Sequence, residues 1–162
     1  MMTNHMLATL TAILVLNALP VEAKAQQPAA PAARITRAEA GRAMDAAEAE
    51  AQRHNWKLTF VIADAEGTPI YVRRMDGASK QSYDIAMNKV RTSITSGLHT
   101  IDYVAAVRAN RIPAIEGAFM YEGGLLMKRD AAVIGAFSAS GARGSEDAQA
   151  VKAGMAAIGI AP

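Results

Sequence analysis

Residues 58–74 read LTFVIADAEGTPIYVRR, and this stretch predicts a β-hairpin. Its first run, Leu58 to Asp64, is almost continuously apolar and rich in β-branched and aromatic side chains, which is typical of a strand covered on both faces. Ala65-Glu66-Gly67 supplies a turn, and Pro69 to Arg74 supplies the return strand. Two strands joined by so short a connection pair antiparallel, so the chain is expected to contain an antiparallel sheet.

Three further strands are predicted in the second half of the chain. Gly117 to Tyr121 and Leu125 to Arg129 flank Glu122-Gly123-Gly124, which predicts a hairpin with a glycine turn. After a short turn at Asp130-Ala131, Ala132 to Ser140 is the last strand. The five strands therefore come as hairpins and do not alternate with helices, which favours one five-stranded antiparallel sheet.

Four helices are predicted around these strands. The first is marked by a capping box, Thr36-x-x-Glu39, in which two side chains close free backbone amides, and alanines recur behind it at helical spacing. The four run over about 37–54, from Ser79 to Gly97, from a Thr100 cap through Arg111, and onward from a Ser145 cap. The sequence thus predicts an α+β fold in which helices pack against the sheet.

The N-terminus has the pattern of a secretory signal peptide. Leu7 to Leu19 is an apolar run that is too short for a spanning helix, which needs about 20 residues. Ala23-Lys24-Ala25 then supplies the small-x-small motif of a cleavage site. We expect residues 1–25 to be a signal peptide, 26–34 a Pro/Ala linker, and 35–162 one domain. The exported protein would have no membrane span, and both periplasm and external medium stay open as its destination.

The composition excludes several classes of site. Half of the 162 residues are hydrophobic (51%), which is typical of a globular protein, and there is no cysteine. A disulfide scaffold, a thiolate zinc site, a cysteine-held iron–sulfur cluster and a cysteine nucleophile are therefore excluded. The balance of 17 basic against 15 acidic residues, with only 5% aromatics, argues against a nucleic-acid partner. No His-Glu-x-x-His motif or EF-hand loop predicts a metal site.

Several short motifs in a fixed order resemble one protein family. They are Ile62-Ala63-Asp64 with Gly67, Arg74 to Ala78, Lys89 to Thr92, Gly123-Gly124, and Val133 to Gly141. Together they make the chain similar to the GlcG/HbpS-like group, which is associated with haem binding or haem degradation, across almost all of 35–162. The resemblance implies a profilin-like antiparallel sheet, assembly of several copies, and, for some members, binding of haem, iron or a corrinoid.

If the chain binds haem, the resemblance and the residue chemistry together suggest a set of contacts. Arginine and lysine would pair with the haem carboxylates, a methionine would touch the macrocycle, and His99 or Thr100 would bind the iron, a threonine ligand being known in the family. Without a Cys-x-x-Cys-His motif, the haem would be held non-covalently. The candidate residues are Arg74, Met75, Lys89, Arg91, His99, Thr100, Ser140 and Gly141.

Four of these candidates also have a purely structural interpretation. Arg74 precedes Met75-Asp76-Gly77, which would make an ordinary turn. Thr100 would cap a helix, and His99 would be a polar surface group. Lys89 lies on the apolar stripe of its helix, where it would extend its ammonium to water or pair with Asp64 or Asp84.

A second functional hypothesis is a small organic acid as ligand or substrate, in line with the family's association with organic-acid metabolism. A partly buried Lys89 can bind an anion, and Arg74 would help it. The small residues from Ser138 to Ser145 precede a helix N-terminus, where free backbone amides bind anions. Asp64 or Asp147 would then act as a base, so whether the protein is an enzyme stays open.

A third hypothesis is a structural or sensory oligomer without chemistry of its own. Met120, Tyr121, Leu125 and Met127 are apolar residues on the predicted glycine hairpin, and they would form an edge contact with a partner. The expected partners are thus haem or a small carboxylate, together with further copies of the same chain.

Overall fold

The computed structural model describes residues 34–161. The predicted signal peptide and the linker up to residue 33 lie outside the described residues. The elements are α1 (Arg37–Arg53), β1 (Thr59–Ala63), β2 (Pro69–Arg74), α2 (Lys80–Ser96), α3 (Thr100–Arg108), β3 (Gly124–Arg129), β4 (Ala132–Ser140) and α4 (Gly144–Ala156). Within residues 34–161, no helix combines the length and apolarity needed to cross a membrane.

The four strands form one antiparallel sheet in the order β2-β1-β4-β3. The central strand β1 is buried along its whole length, because helices cover both faces of the sheet. Phe60 and Ile62 pack into a core with α1 and α4, whereas Val61 and Ala63 pack on the opposite face against α2. The prediction of a strand covered on both sides is confirmed, and the α+β class with it.

The sheet has four strands, so the prediction of five was wrong. The predicted strand from Gly117 to Tyr121 is irregular instead. Its backbone makes bonds elsewhere: Phe119 N donates to Thr92 Oγ1 of α2 at 2.9 Å, and Ala118 N donates to Ile115 O at 3.1 Å. We call residues 115–121 the 115–121 segment; it lies against α2 and adds no strand beyond β3.

The predicted helix ends agree with the structure at α1 and differ from it at α3 and α4. The capping box at α1 is confirmed, since Thr36 Oγ1 accepts Glu39 N at 3.2 Å and Glu39 Oε2 accepts Thr36 N at 2.8 Å. Two other predicted caps were wrong. His99, rather than Thr100, precedes α3, and α4 begins at Gly144, so that Ser145 lies inside its first turn. The third helix also ends at Arg108, short of the predicted Arg111.

The apolar edge proposed for an oligomer contact is only partly exposed. Leu125 and Met127 are 4% and 0% exposed and belong to the core, so the prediction that they face a partner was wrong. Both lie on β3 and belong to the core cluster that includes residues of α1 and α4. Tyr121, in contrast, is 66% exposed.

Candidate functional site

A buried ion pair joins α2 to α4. Lys89 Nζ donates to Asp147 Oδ2 at 2.7 Å and to the backbone oxygen of Ala139 at 2.8 Å. Both charged side chains are only 2% exposed. Asp147 Oδ1 also accepts the backbone N–H of Ala142 at 3.1 Å. The predicted alternatives for Lys89, a pairing with Asp64 or Asp84 or a chain extended to water, were therefore wrong.

Burial shifts the pKa of both members of the pair so that the neutral form of each is favoured. Desolvation lowers the pKa of Lys89, and the attraction to Asp147 offsets this only in part. Desolvation likewise raises the pKa of Asp147 to about 6, against the opposing pull of Lys89 and the Ala142 amide. A carboxyl group with such a pKa exchanges its proton close to neutral pH.

Gly123 closes one side of the ammonium group. Its φ is +115°, and a Cβ built on it would lie 2.5 Å from Lys89 Nζ and 2.8 Å from Asp147 Cβ. Its carbonyl accepts Ala139 N at 2.9 Å, which places the glycine beside the end of β4. The first glycine of the Gly-Gly motif is thus required by the ion pair and not by a hairpin turn.

The pair lies at a small pocket, here called the Lys89 pocket, of about 210 Å³. It is lined by Lys89, Asp147, Phe119, Tyr121, Ser140 and Gly144, with Ile85 and Ala142. An ammonium group has three N–H donors, and the two acceptors above leave one of them free among the described residues. Ser140, which is only 5% exposed, lines the same pocket and supplies a hydroxyl beside the pair.

Aromatic side chains of the 115–121 segment form the outer wall of the Lys89 pocket. The rings of Phe119 and Tyr121 lie 5.3 Å apart between centroids and are tilted. Lys89 Nζ lies 5.9 Å from the centroid of Phe119, within range of a cation–π contact. The sequence analysis did not predict Phe119 as a site residue. The two aromatic residues just before Gly123-Gly124, Phe119 and Tyr121, were the feature that could have indicated it.

A second cavity of about 180 Å³, the His99 pocket, lies on the other side of Gly124 and is lined by His99, Ile101, Glu122, Leu125 and Lys152. His99 Nδ1 accepts the backbone N–H of Leu126 at 3.0 Å. Burial lowers the pKa of His99, so its ring is neutral and carries its proton on Nε2.

Thr100 has a structural role in this arrangement. Its hydroxyl is fully buried, accepts Gly124 N at 3.0 Å and donates to Gly124 O at 3.2 Å. Both hydrogen-bonding groups of one β3 residue are thereby satisfied by a single side chain. The hydroxyl is therefore engaged with the backbone of β3, and it does not cap α3.

The remaining predicted residues lie apart from the Lys89 pocket. Arg74 donates Nε to the carbonyl oxygen of Ala78 at 3.0 Å and so closes its own loop. Met75 is buried, and its sulfur accepts Leu58 N at 3.5 Å. Gly141, with φ of +142°, lies against the Lys57 backbone. Of the eight predicted residues, the structure brings Lys89 and Ser140 into one pocket.

Arg91 is exposed and lines a third cavity of about 330 Å³ between α2 and the 115–121 segment. Asp64, a predicted base, accepts the N–H groups of Glu66 and Thr68 and so organises its own turn. Across residues 34–161, no three His, Asp or Glu side chains lie close enough together to hold a metal ion.

Known proteins similar to this chain cover most of its domain. A family model described as haem degrading protein HbpS-like matches residues 35–156. GlcG of Escherichia coli K12 is 29% identical over 97 residues, which span 59% of this chain and 72% of GlcG. An uncharacterised 15.0 kDa protein of Citrobacter freundii, from the dhaT-dhaS intergenic region, is 32% identical over 121 residues, 71% of this chain and 85% of that protein.

Solved structures share the fold. A double mutant of HbpS from Streptomyces reticuli superposes with a TM-score of 0.73 at 27% identity and covers 88% of this chain and 98% of its own. A PduOC:heme complex superposes with a TM-score of 0.72 at 23% identity and covers 79% of this chain and 97% of its own. At this identity the similarity is one of fold. Because the family model spans residues 35–156, the chain belongs to the HbpS-like family of haem-degrading proteins.

Proposed function

We propose that this protein is an exported haem-binding protein. The observation that carries the proposal is its membership of the HbpS-like family over residues 35–156. A protein of the same fold, PduOC, was solved as a heme complex, which supports the proposal at the level of the fold.

The sizes of the cavities limit where haem would lie. Pockets that enclose a drug-sized ligand measure about 300–1,000 Å³, whereas the Lys89 and His99 pockets measure about 210 and 180 Å³. Neither of these two pockets would enclose haem, whereas the cavity of about 330 Å³ between α2 and the 115–121 segment reaches this range. The surface formed by α2 and the 115–121 segment fits best, because it presents the Phe119 and Tyr121 rings and the exposed guanidinium of Arg91, which would pair with a haem carboxylate.

The donor chemistry of the chain ranks the candidate iron ligands. Tyrosine and histidine both serve as axial ligands of haem iron. Tyr121 is 66% exposed at the edge of this surface and fits that role. His99 would first have to give up its bond to Leu126 or its Nε2 proton, and the hydroxyl of Thr100 is occupied by Gly124. We therefore assign the ligand role to Tyr121 ahead of His99.

A haemin titration followed by absorbance tests this proposal. We expect a saturable Soret band at about one haem per chain, shifted in Tyr121→Phe and unchanged in Tyr83→Phe, a matched exposed tyrosine on α2. A shift in His99→Ala alone would transfer the ligand role to His99. A titration without saturation would overturn haem binding itself.

Export is part of the same proposal and has its own test. Expression of the full chain in a bacterial host, followed by fractionation and N-terminal sequencing, should give a processed protein that begins at Gln26. A full-length product confined to the cytoplasm would contradict export. Light scattering of the processed protein tests the proposed assembly into a homo-oligomer.

A second candidate function, binding of a small organic acid, is favoured by one specific observation. Among the described residues, the Lys89 pocket contains a free ammonium N–H and the hydroxyl of Ser140, and both are donors suited to a carboxylate. Arg74, which is engaged with Ala78, is not part of this pocket. A thermal-shift panel of small carboxylates tests it: stabilisation that is lost in Ser140→Ala supports it, and no stabilisation at millimolar concentrations contradicts it.

A further inference from the structure

We propose that the Lys89 pocket is an acid–base site that removes and returns a proton beside the carbonyl group of a small 2-oxo acid. In this inference, which rests on the second candidate function, Asp147 is the base and Lys89 donates a hydrogen bond to the carbonyl oxygen. The pocket shares its Phe119 and Tyr121 wall with the surface proposed for haem.

The volume of the pocket sets the size of the substrate. At about 210 Å³, the pocket is smaller than the roughly 300–1,000 Å³ that enclose a drug-sized ligand, so it suits a small acid. A three- or four-carbon 2-oxo acid is such a molecule. Larger acids would have to leave part of their chain outside, between Tyr121 and the first turn of α4.

The donors in the pocket match the two oxygen-bearing groups of such an acid. Ser140 supplies a hydroxyl to the lining, and Gly144 begins α4, a helix of 13 residues whose first N–H groups are free of helical bonds. These groups suit the carboxylate. The third N–H of Lys89 suits the carbonyl oxygen, since its other two are held by Asp147 and Ala139.

The proposed step balances without a further reactant. The proton on the carbon next to the carbonyl moves to the carboxylate of Asp147, and the electron pair of that C–H bond becomes the C=C bond of an enolate. The negative charge forms on the carbonyl oxygen, where the Lys89 N–H stabilises it. Return of a proton from Asp147 restores the 2-oxo acid, so the observable result is exchange with solvent.

The surroundings of Asp147 support its role as the base. It faces Lys89 from α2, the Ala142 amide from the loop before α4, and Glu146 on its own helix. Burial raises the pKa of Asp147 to about 6, which makes it a stronger base than an exposed aspartate while it is still mostly ionised at pH 7. Both side chains are 2% exposed, so bulk water is largely kept from the pair.

Proton NMR of pyruvate in D₂O with the full protein tests the proposal. We expect the methyl signal to decay at least ten-fold faster than in buffer, and Asp147→Asn to abolish this acceleration. Ser140→Ala, which keeps the ion pair, should raise the pyruvate concentration needed for half-maximal exchange. Asp84→Asn, an exposed carboxylate on α2, should exchange like the wild type.

Saturation-transfer NMR on the same samples separates the possible failures. Binding of pyruvate without accelerated exchange would overturn the acid–base inference and leave acid binding standing. Neither binding nor exchange would overturn both. Exchange that persists in a folded Asp147→Asn variant, checked by circular dichroism, would remove Asp147 from the role of base.

Discussion

Lys89 and Asp147 are 58 residues apart in sequence, yet Nζ and Oδ2 lie 2.7 Å apart in a contact that is almost fully buried. The pair connects helices on opposite faces of the sheet, since α2 packs on the Val61 face and α4 on the Phe60 face. It does so beside the end of β4, where the backbone oxygen of Ala139 accepts a second hydrogen bond from the Lys89 ammonium. The interaction is thus a link between two layers of the fold as well as the floor of a pocket.

Breaking this pair from one side should destabilise the protein strongly. Lys89→Met and Asp147→Leu each leave one buried charge without its counter-charge, and such changes cost about 3–5 kcal/mol. The double variant, which replaces the pair with apolar groups, should be more stable than either single variant. Urea unfolding of all four proteins measures this. Additive losses in the double variant would show that the two side chains do not depend on each other.

The stability contributed by Asp147 should fall as pH rises from about 4 to 6. Because its pKa is about 6 in the folded protein against an ordinary 3.8, the folded state keeps a proton that the unfolded chain releases in this window. At about 1.4 kcal/mol for each pH unit between the two values, the change amounts to up to about 3 kcal/mol.

Urea unfolding of the wild type and Asp147→Asn between pH 4 and pH 7 isolates this contribution. The stability of the wild type relative to the variant should decrease toward pH 6 and then level off. An advantage that instead grew with pH would mean that attraction to Lys89 outweighs the cost of burial.

Gly123→Ala should disrupt the pocket far more than an alanine at another glycine with positive φ. The new Cβ would lie 2.5 Å from Lys89 Nζ, whereas at Gly117, with φ of +71°, it would meet no atom within 4 Å. Gly117→Ala should cost about 1–2 kcal/mol from backbone strain alone. Thermal unfolding of both variants compares them, and equal losses would show that the contact with Lys89 is unimportant.

Thr100→Val should destabilise the protein by about 1–3 kcal/mol, because it leaves the buried Gly124 N–H without a partner. Thr100→Ser, which retains the hydroxyl, should recover most of this loss. Thr95→Val, at an exposed position of α2, is the control. Chemical denaturation gives the three values; a Val variant as stable as the Ser variant would contradict the structural role of this hydroxyl.

Features encoded by neighbouring residues were predicted well from the sequence. The bounds of β2 and the capping box before α1 agree with the structure, and α2 begins and ends within one residue of the predicted Ser79 and Gly97. Each depends on groups a few residues apart, so the local chain carries the information. The turn at Asp130-Ala131 is similar, since both residues have positive φ, as the two-residue connection of β3 to β4 requires.

Features that depend on distant partners were not predicted. The 115–121 segment has the composition of a strand, but Thr92 of α2 takes the Phe119 amide that a sheet would have used. Thr100 is a residue type that commonly caps helices, but its hydroxyl accepts the N–H of Gly124 instead. In both cases a local hydrogen bond and one to a distant residue are alternatives, and only the packed structure decides which of the two is made.

The candidate site shows the same division. The sequence by itself determined that a lysine lies on the buried stripe of α2, that a small-residue stretch precedes α4, and that the chain resembles a haem-associated family. Only the tertiary structure decided that Asp147, and neither Asp64 nor Asp84, neutralises Lys89, and that Ser140 and Tyr121 surround the pair. The physical reason is that a buried charge requires a partner, but which partner reaches it depends on how the helices and strands are brought together.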